Sequence, residues 1–165
     1  MLEDKRLRIE RAGMESAAKY IPLDLAVREW RDAVTGAGFD TSIKSFCSLL
    51  GVSYYIDKGE LCALISELSS LLCSGSALVL DHPDEHYFEG NNKNAVLAAG
   101  AGEAMRGGYS YDELEELLHD AGFLIYEYAD EAEAERSFFC EYNEEHPDSP
   151  LHAQPHVALA LAVKK

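Results

Sequence analysis

Hydrophobic positions recur at helical spacing most clearly between residues 57 and 75. Leu61, Leu64, Ile65, Leu68, Leu71 and Leu72 follow one another at three- and four-residue intervals, the stripe of a helix with one buried face. Asp57 and Glu60 stand three apart at its start, as a capping box requires, and Gly75 suits its end. Ser110 and Glu113 open a second such helix, with Leu114, Leu117 and Leu118 inward and Gly122 closing it. Around and between these lie short apolar runs, read as strands near residues 19–24, 44–50, 76–81, 123–129 and 156–164. The run 42–55 reads as a buried strand passing into a loop. Residues 3–16 read as a charged helix, 26–37 as a helix ending at Gly36 and Gly38, and 130–140 as an acidic helix. His82 to Gly108 reads as a polar region with a helix between loops.

Strand and helix alternate, which predicts an α/β fold whose sheet is mostly parallel, with helices on both faces. No leucine-rich helix separates the last two strands, so the last one is expected to run antiparallel. The 165 residues suit a single domain, 1–165.

Composition narrows the partners. Fourteen Lys and Arg against thirty Asp and Glu leave a formal charge of −16, a field that repels nucleic acid and anionic membrane surfaces. No stretch offers the ~18 apolar residues of a bilayer span. The start, MLEDKRLRIERAG, is too charged for a secretory signal. Cys47, Cys62, Cys73 and Cys140 form no CxxC pair, so they are expected to be reduced, mostly buried thiols in a cytoplasmic protein.

The segments YIPLDLAVREWRDAVTGAGFDTSIKSFCSLLGVSYY, GSALVLD, SYDELEELLHDAGFLIYEY and ERSFFCEYNEEHPDSPLHAQPHVALALAVKK together resemble the leucine carboxyl methyltransferase-like family. The resemblance implies a Rossmann-like class I methyltransferase sheet and S-adenosylmethionine as cofactor. It also implies methyl transfer to a hydroxyl or carboxylate oxygen of a small-molecule or carboxyl-terminal acceptor. In that family a GxGxD-like loop and an acidic strand precede a segment like LEDKRLRIERAG, whereas here Met1 stands at that junction. The sheet is therefore expected to lack its first two strands. The chain alone is expected not to methylate and to bind cofactor poorly, and a missing N-terminal fragment or a homodimer is the expected partner at the open sheet edge. The alternative is a non-catalytic α/β remnant or subunit.

The resemblance also marks four cofactor-binding candidates. Asp24 and Leu25 match an Asp-Leu pair that meets the adenine, although Asp24 equally suits the cap of the helix that follows. Leu50 and Gly51 match a segment facing the cofactor. Leu50 replaces a glutamate common in relatives, which leaves an apolar wall or a core role. Tyr54 and Tyr55 either line a substrate pocket or are half-buried aromatics. His82, Asp84 and His86 resemble a metal cluster, but Pro83 interrupts them, and a polar turn capped by Asp81 or Asp84 reads better; no metal is expected. Gly36 and Gly38 follow a helix, the reverse order of a cofactor loop.

Overall fold

A computed structural model describes residues 2–15, 17–23, 25, 30–89 and 93–165. They form two units, Met1–Thr41 and Ser42–Lys165.

The first unit holds α1 (Leu2–Arg11) and α2 (Trp30–Gly36). Helix α1 is polar nearly all round and held by charge pairs. Arg6 bonds both Glu3 and Glu10, and Arg8 meets Asp4 at 2.9 Å, the spacings at which helical side chains meet. Helix α2 closes at Gly38 with the Phe39 amide donating to the Val34 carbonyl, the helix end expected there. The strand expected near 19–24 is not formed: residues 17–23 have no regular structure, and Asp24 lies outside the described residues. Strand propensity is realised only beside a partner. Pro22 also lacks the amide that a ladder uses, and no ladder among the described residues includes this segment.

The second unit contains β1 (Phe46–Leu49), α3 (Lys58–Leu71), β2 (Ala77–Pro83), α4 (Lys93–Gly100), α5 (Tyr111–Asp120), β3 (Phe123–Ala129) and α6 (Glu131–Ala134). A single π-helical turn (Glu135–Phe139), α7 (Cys140–Glu145) and β4 (Val157–Lys164) complete it. The sheet order is β1-β2-β4-β3. Strand β1 runs parallel to β2, and β4 is antiparallel to both β2 and β3. Three strands thus share one direction and the last opposes them, as expected.

Both expected capping boxes are present. Asp57 and Glu60 close one at α3, Ser110 and Glu113 the other at α5. Most of the leucine stripes they introduce is buried: Leu61, Ile65, Leu114 and Leu118 have no exposed surface, while Leu68 and Leu117 are half-buried. Burying one such side chain stabilises by about 1.5–3 kcal/mol. Helix α5 packs on β3 and against α3. The sheet row Leu78, Leu80, His82, Ala158, Ala160 and Ala162 is closed, whereas Ala77, Val79, Leu159 and Leu161 are half-buried. One face of the sheet is thus covered more fully than the other.

Strand β1 is also less buried than expected, because it is the edge strand. Phe46 pairs with Ala77 of the half-buried row and is exposed; only Leu49 is buried. The cysteines are free, but Cys62 and Cys140 are exposed and Cys47 and Cys73 half-buried. Cys62 sits between the stripe positions of α3, where hydrophobicity alone does not bring a residue inward. Among the described residues no helix is long and apolar enough to cross a membrane.

Candidate functional site

In open α/β sheets ligands sit beyond the carboxyl ends of the parallel strands. Two clefts lie at that end of this sheet, one on each side of β2.

The first cleft, of about 480 Å³, is lined by Gly51, Tyr54, Tyr55, Asp81, Leu97 and Met105, among others. Strand β1 ends at Leu49, and the chain turns at Gly51, whose φ of +71° lies in the left-handed region. The turn is fastened to β2: the Gly51 amide donates to Asp81 Oδ1 at 2.7 Å, and Ser53 Oγ donates to the Asp81 carbonyl at 2.7 Å. The Tyr54 hydroxyl lies 3.4 Å from Asp81 Oδ2. Burial, and next the Asp81 charge, push the Tyr54 phenol far up, so it stays protonated. Tyr54 also meets Tyr87 edge-to-face at 5.6 Å. From the other side, the Arg106 and Gly107 amides donate to the Tyr54 carbonyl at 2.7 and 3.2 Å.

The second cleft, of about 650 Å³, is lined by Asp84, Tyr128, Asp130, Glu135, His152 and His156 among others. His156 is the one non-glycine with positive φ, +60°, among the described residues. Three contacts hold it there: its amide donates to Glu131, its carbonyl accepts from Asp84, and its Nδ1 lies 3.1 Å from Asp84 Oδ2. At the inner wall, His82 Nε2 lies 3.2 Å from the Tyr128 hydroxyl, and His82 Nδ1 lies 3.1 Å from the Pro83 carbonyl. Burial lowers the His82 pKa from the ordinary imidazole value, only partly opposed by the Pro83 carbonyl and by Asp81, Asp84 and Glu85. Burial, then Asp130 and Asp84, push the Tyr128 phenol up to about 12.

The site residues read from the sequence fare unequally. Gly51, Tyr54 and Tyr55 share the first cleft. Leu50 is 52% exposed; the core role expected for it is excluded, because the chain leaves the sheet at that residue. Leu25 is 41% exposed, and Asp24 lies outside the described residues. The DHPDEH run divides: His82 turns inward to Tyr128, while exposed His86 lies 2.9 Å from Glu89. Among the described residues no three His, Cys, Asp or Glu are placed to hold a metal. The expected turn cap is Asp84, whose Oδ1 accepts from the His86 amide at 2.8 Å. Sequence reasoning missed Asp81 as the anchor of the Gly51 turn, and missed Tyr128 altogether. The signal for Asp81 was its place as the first polar residue after the apolar run Ala77–Leu80 of β2.

Residues 1–69 match the leucine carboxyl methyltransferase family. Over 126 residues the chain is 37% identical to YktD of Bacillus subtilis, a protein named as an S-adenosyl-L-methionine-dependent methyltransferase. That match takes in 73% of this chain and 41% of YktD, so the chain spans about two fifths of the length of the curated relative it matches. Among solved structures, an O-methyltransferase family protein from Burkholderia thailandensis aligns with 99% of this chain and 40% of its own, at TM-score 0.59 and 11% identity. The magnesium protoporphyrin IX methyltransferase of Synechocystis PCC 6803, with bound S-adenosylhomocysteine, aligns with 99% of this chain and 58% of its own, at TM-score 0.54 and 15% identity. The family resemblance read from the residues therefore holds, and the fold is a partial Rossmann-like methyltransferase sheet.

Proposed function

We propose that this chain acts in S-adenosylmethionine-dependent methyl transfer to an oxygen, hydroxyl or carboxylate, with the cofactor held at the Gly51 cleft. One observation carries the reading: at the carboxyl end of β1, the Gly51 turn is fixed on Asp81 and opens a cleft of about 480 Å³, within the range of small-ligand sites. The lining fits the cofactor's chemistry. Tyr54, Tyr55, Leu97 and Met105 offer apolar surface, and Asp81 and Glu103 offer negative charge to a sulfonium. A β-carbon added at Gly51 would meet nothing within 4 Å, so backbone is open to a ligand there.

The cofactor supplies an already activated methyl group, so the protein's task is alignment and exclusion of water. Gly51 and Asp81 fix the wall; Tyr54, kept neutral, gives a hydroxyl beside it. Leu50, next to Gly51 in the same turn, is proposed as an apolar neighbour of the adenine ring. A second reading, a module completed by a partner or a second copy, is supported by the outer edge of β1, where Phe46 is 68% exposed.

Ultraviolet cross-linking with methyl-labelled S-adenosylmethionine, followed by peptide mapping, tests the first reading. Label is expected on the peptide holding Gly51–Tyr55 and is expected to be lost on adding S-adenosylhomocysteine. Label elsewhere, or label indifferent to the competitor, counts against it.

A further inference from the structure

We infer that the second cleft receives a small hydroxyl-bearing ligand, uncharged or cationic, and that the Tyr128 oxygen accepts the hydrogen bond from that hydroxyl.

Tyr128 faces the cleft because of a bulge in β3. In β3, Phe123 pairs with Lys164, Leu124 with Val163 and Ile125 with Ala162; Glu127 then pairs with Leu161 and Tyr128 with Ala160. Tyr126 is skipped. Unbroken alternation would bring Glu127 to the row of Ile125 and leave Tyr128 on the other face. The bulge reverses this, leaving Tyr126 71% exposed and turning Tyr128 to the row of Leu80 and His82. One extra residue that re-aims a side chain is the recurrent use of such bulges.

Tyr128 and His82 stand on strands separated by β4, about 9.6 Å apart at ordinary strand spacing. They meet because the residues between them on β4 are Ala158 and Ala160, paired with His82 and Leu80. A methyl leaves room for an imidazole and a phenol to reach across; their ring centres lie 5.9 Å apart.

The direction of the hydrogen bonds follows. The Pro83 carbonyl can only accept, so His82 Nδ1 carries the imidazole proton. His82 is buried with its pKa lowered, so the ring is neutral and Nε2 is bare. The Tyr128 hydroxyl must then donate to Nε2. Its proton is committed inward, and what the oxygen offers the cleft is lone pairs. His82 is in this sense a positioning residue. The rest of the lining agrees in sign: Asp84, Asp130, Glu131 and Glu135 face the same cleft, and no Lys or Arg is among the lining residues. The lining histidines His86, His152 and His156 already hold Glu89, Glu135 and Asp84 through Nδ1, so a carboxylate would face four carboxylates with only engaged imidazoles to offset them, whereas a hydroxyl or an ammonium group would meet partners.

Nuclear magnetic resonance on the full chain, with three probes and no cofactor, tests this. Tyramine carries a phenol and an ammonium group, 4-methoxyphenethylamine caps the hydroxyl, and 3-(4-hydroxyphenyl)propionate replaces the ammonium with a carboxylate. Tyramine is expected to shift Tyr128 and His156 signals and to bind at least about tenfold tighter than either analogue, the worth of one hydrogen bond. Tyr128→Phe is expected to cut the preference for hydroxyl over methoxy to about twofold or less. In the unaltered chain the ¹⁵N shifts of His82 are expected to show protonated Nδ1 and bare Nε2. Equal affinities, a preference for the propionate, no binding of any probe, or protonated Nε2 would each overturn the inference. Because no cofactor is present, failure of the cross-linking at Gly51–Tyr55 strikes the methyl-transfer reading and leaves this polarity standing. Success there with equal probe affinities sinks this inference alone.

Discussion

Asp81 and His82 are neighbours in sequence, yet they serve opposite sides of the same strand end. Asp81 is half-buried and its carboxylate gathers loop groups: the Gly51 amide, and at longer range the Tyr54 hydroxyl. His82 is fully buried and its imidazole holds a single phenol across an intervening strand. The first cleft is thus built by a charge that organises backbone, the second by a neutral ring that fixes the polarity of a side chain. The period-2 alternation of a strand is enough to generate both. Each cleft should therefore be separable from the other by mutation.

Gly107→Ala should break the first cleft most severely. A β-carbon at Gly107 would stand 2.2 Å from the Ser53 carbonyl oxygen, and backbone on both sides must give way. The expected loss is about 3 kcal/mol, the upper end of ordinary overpacking, read by urea unfolding. Tyramine binding at Tyr128 should survive in the folded fraction. Asp81→Ala removes the anchor of the Gly51 turn and should cost about 2 kcal/mol, as for a hydrogen bond to a charged group. Amide exchange at Gly51 should accelerate in that variant, while His82 keeps its tautomer.

Tyr128→Phe leaves His82 Nε2 buried without its partner and should cost about 1 kcal/mol, with the first cleft unchanged. The smallest effect concerns pH. His82 binds its proton more weakly folded than unfolded, so acid favours the unfolded chain. This share of stability is fully present above the unfolded value of about 6.5 and is lost as pH falls through the lower folded value. A His82→Gln variant should lose less melting temperature than the parent as pH falls from about 7.5 to about 5.5, where the unfolded His82 ring takes up a proton that the folded ring resists. An identical loss in both would show that His82 is not the group responsible.

The parts legible in the sequence were those set by local chemistry. Asp57 with Glu60 and Ser110 with Glu113 announce helix starts without help from the rest of the chain, and the apolar runs of β2, β3 and β4 announce a sheet. Segment 19–24 was misread because a strand depends on a neighbour that its own residues do not encode. The inward tyrosine of β3 was hidden for a related reason. FLIYEYA reads equally well with or without a bulge, and only pairing with β4 decides it. His82 looked like part of a metal cluster because spacing along the chain does not show that one imidazole turns inward and the next outward. Gly51 was legible through family resemblance, whereas its tether to Asp81 is thirty residues away.

The central claim is that the Gly51 cleft is the cofactor's place, distinct from the Tyr128 cleft. Titrating S-adenosylhomocysteine into ¹⁵N-labelled chain tests it most directly. The account predicts shifts at Gly51, Tyr54, Tyr55 and Met105 that saturate only in the millimolar range, about −4 kcal/mol, with Tyr128 and His156 undisturbed. Shifts centred on Tyr128 and His156, or none at Gly51, would contradict it.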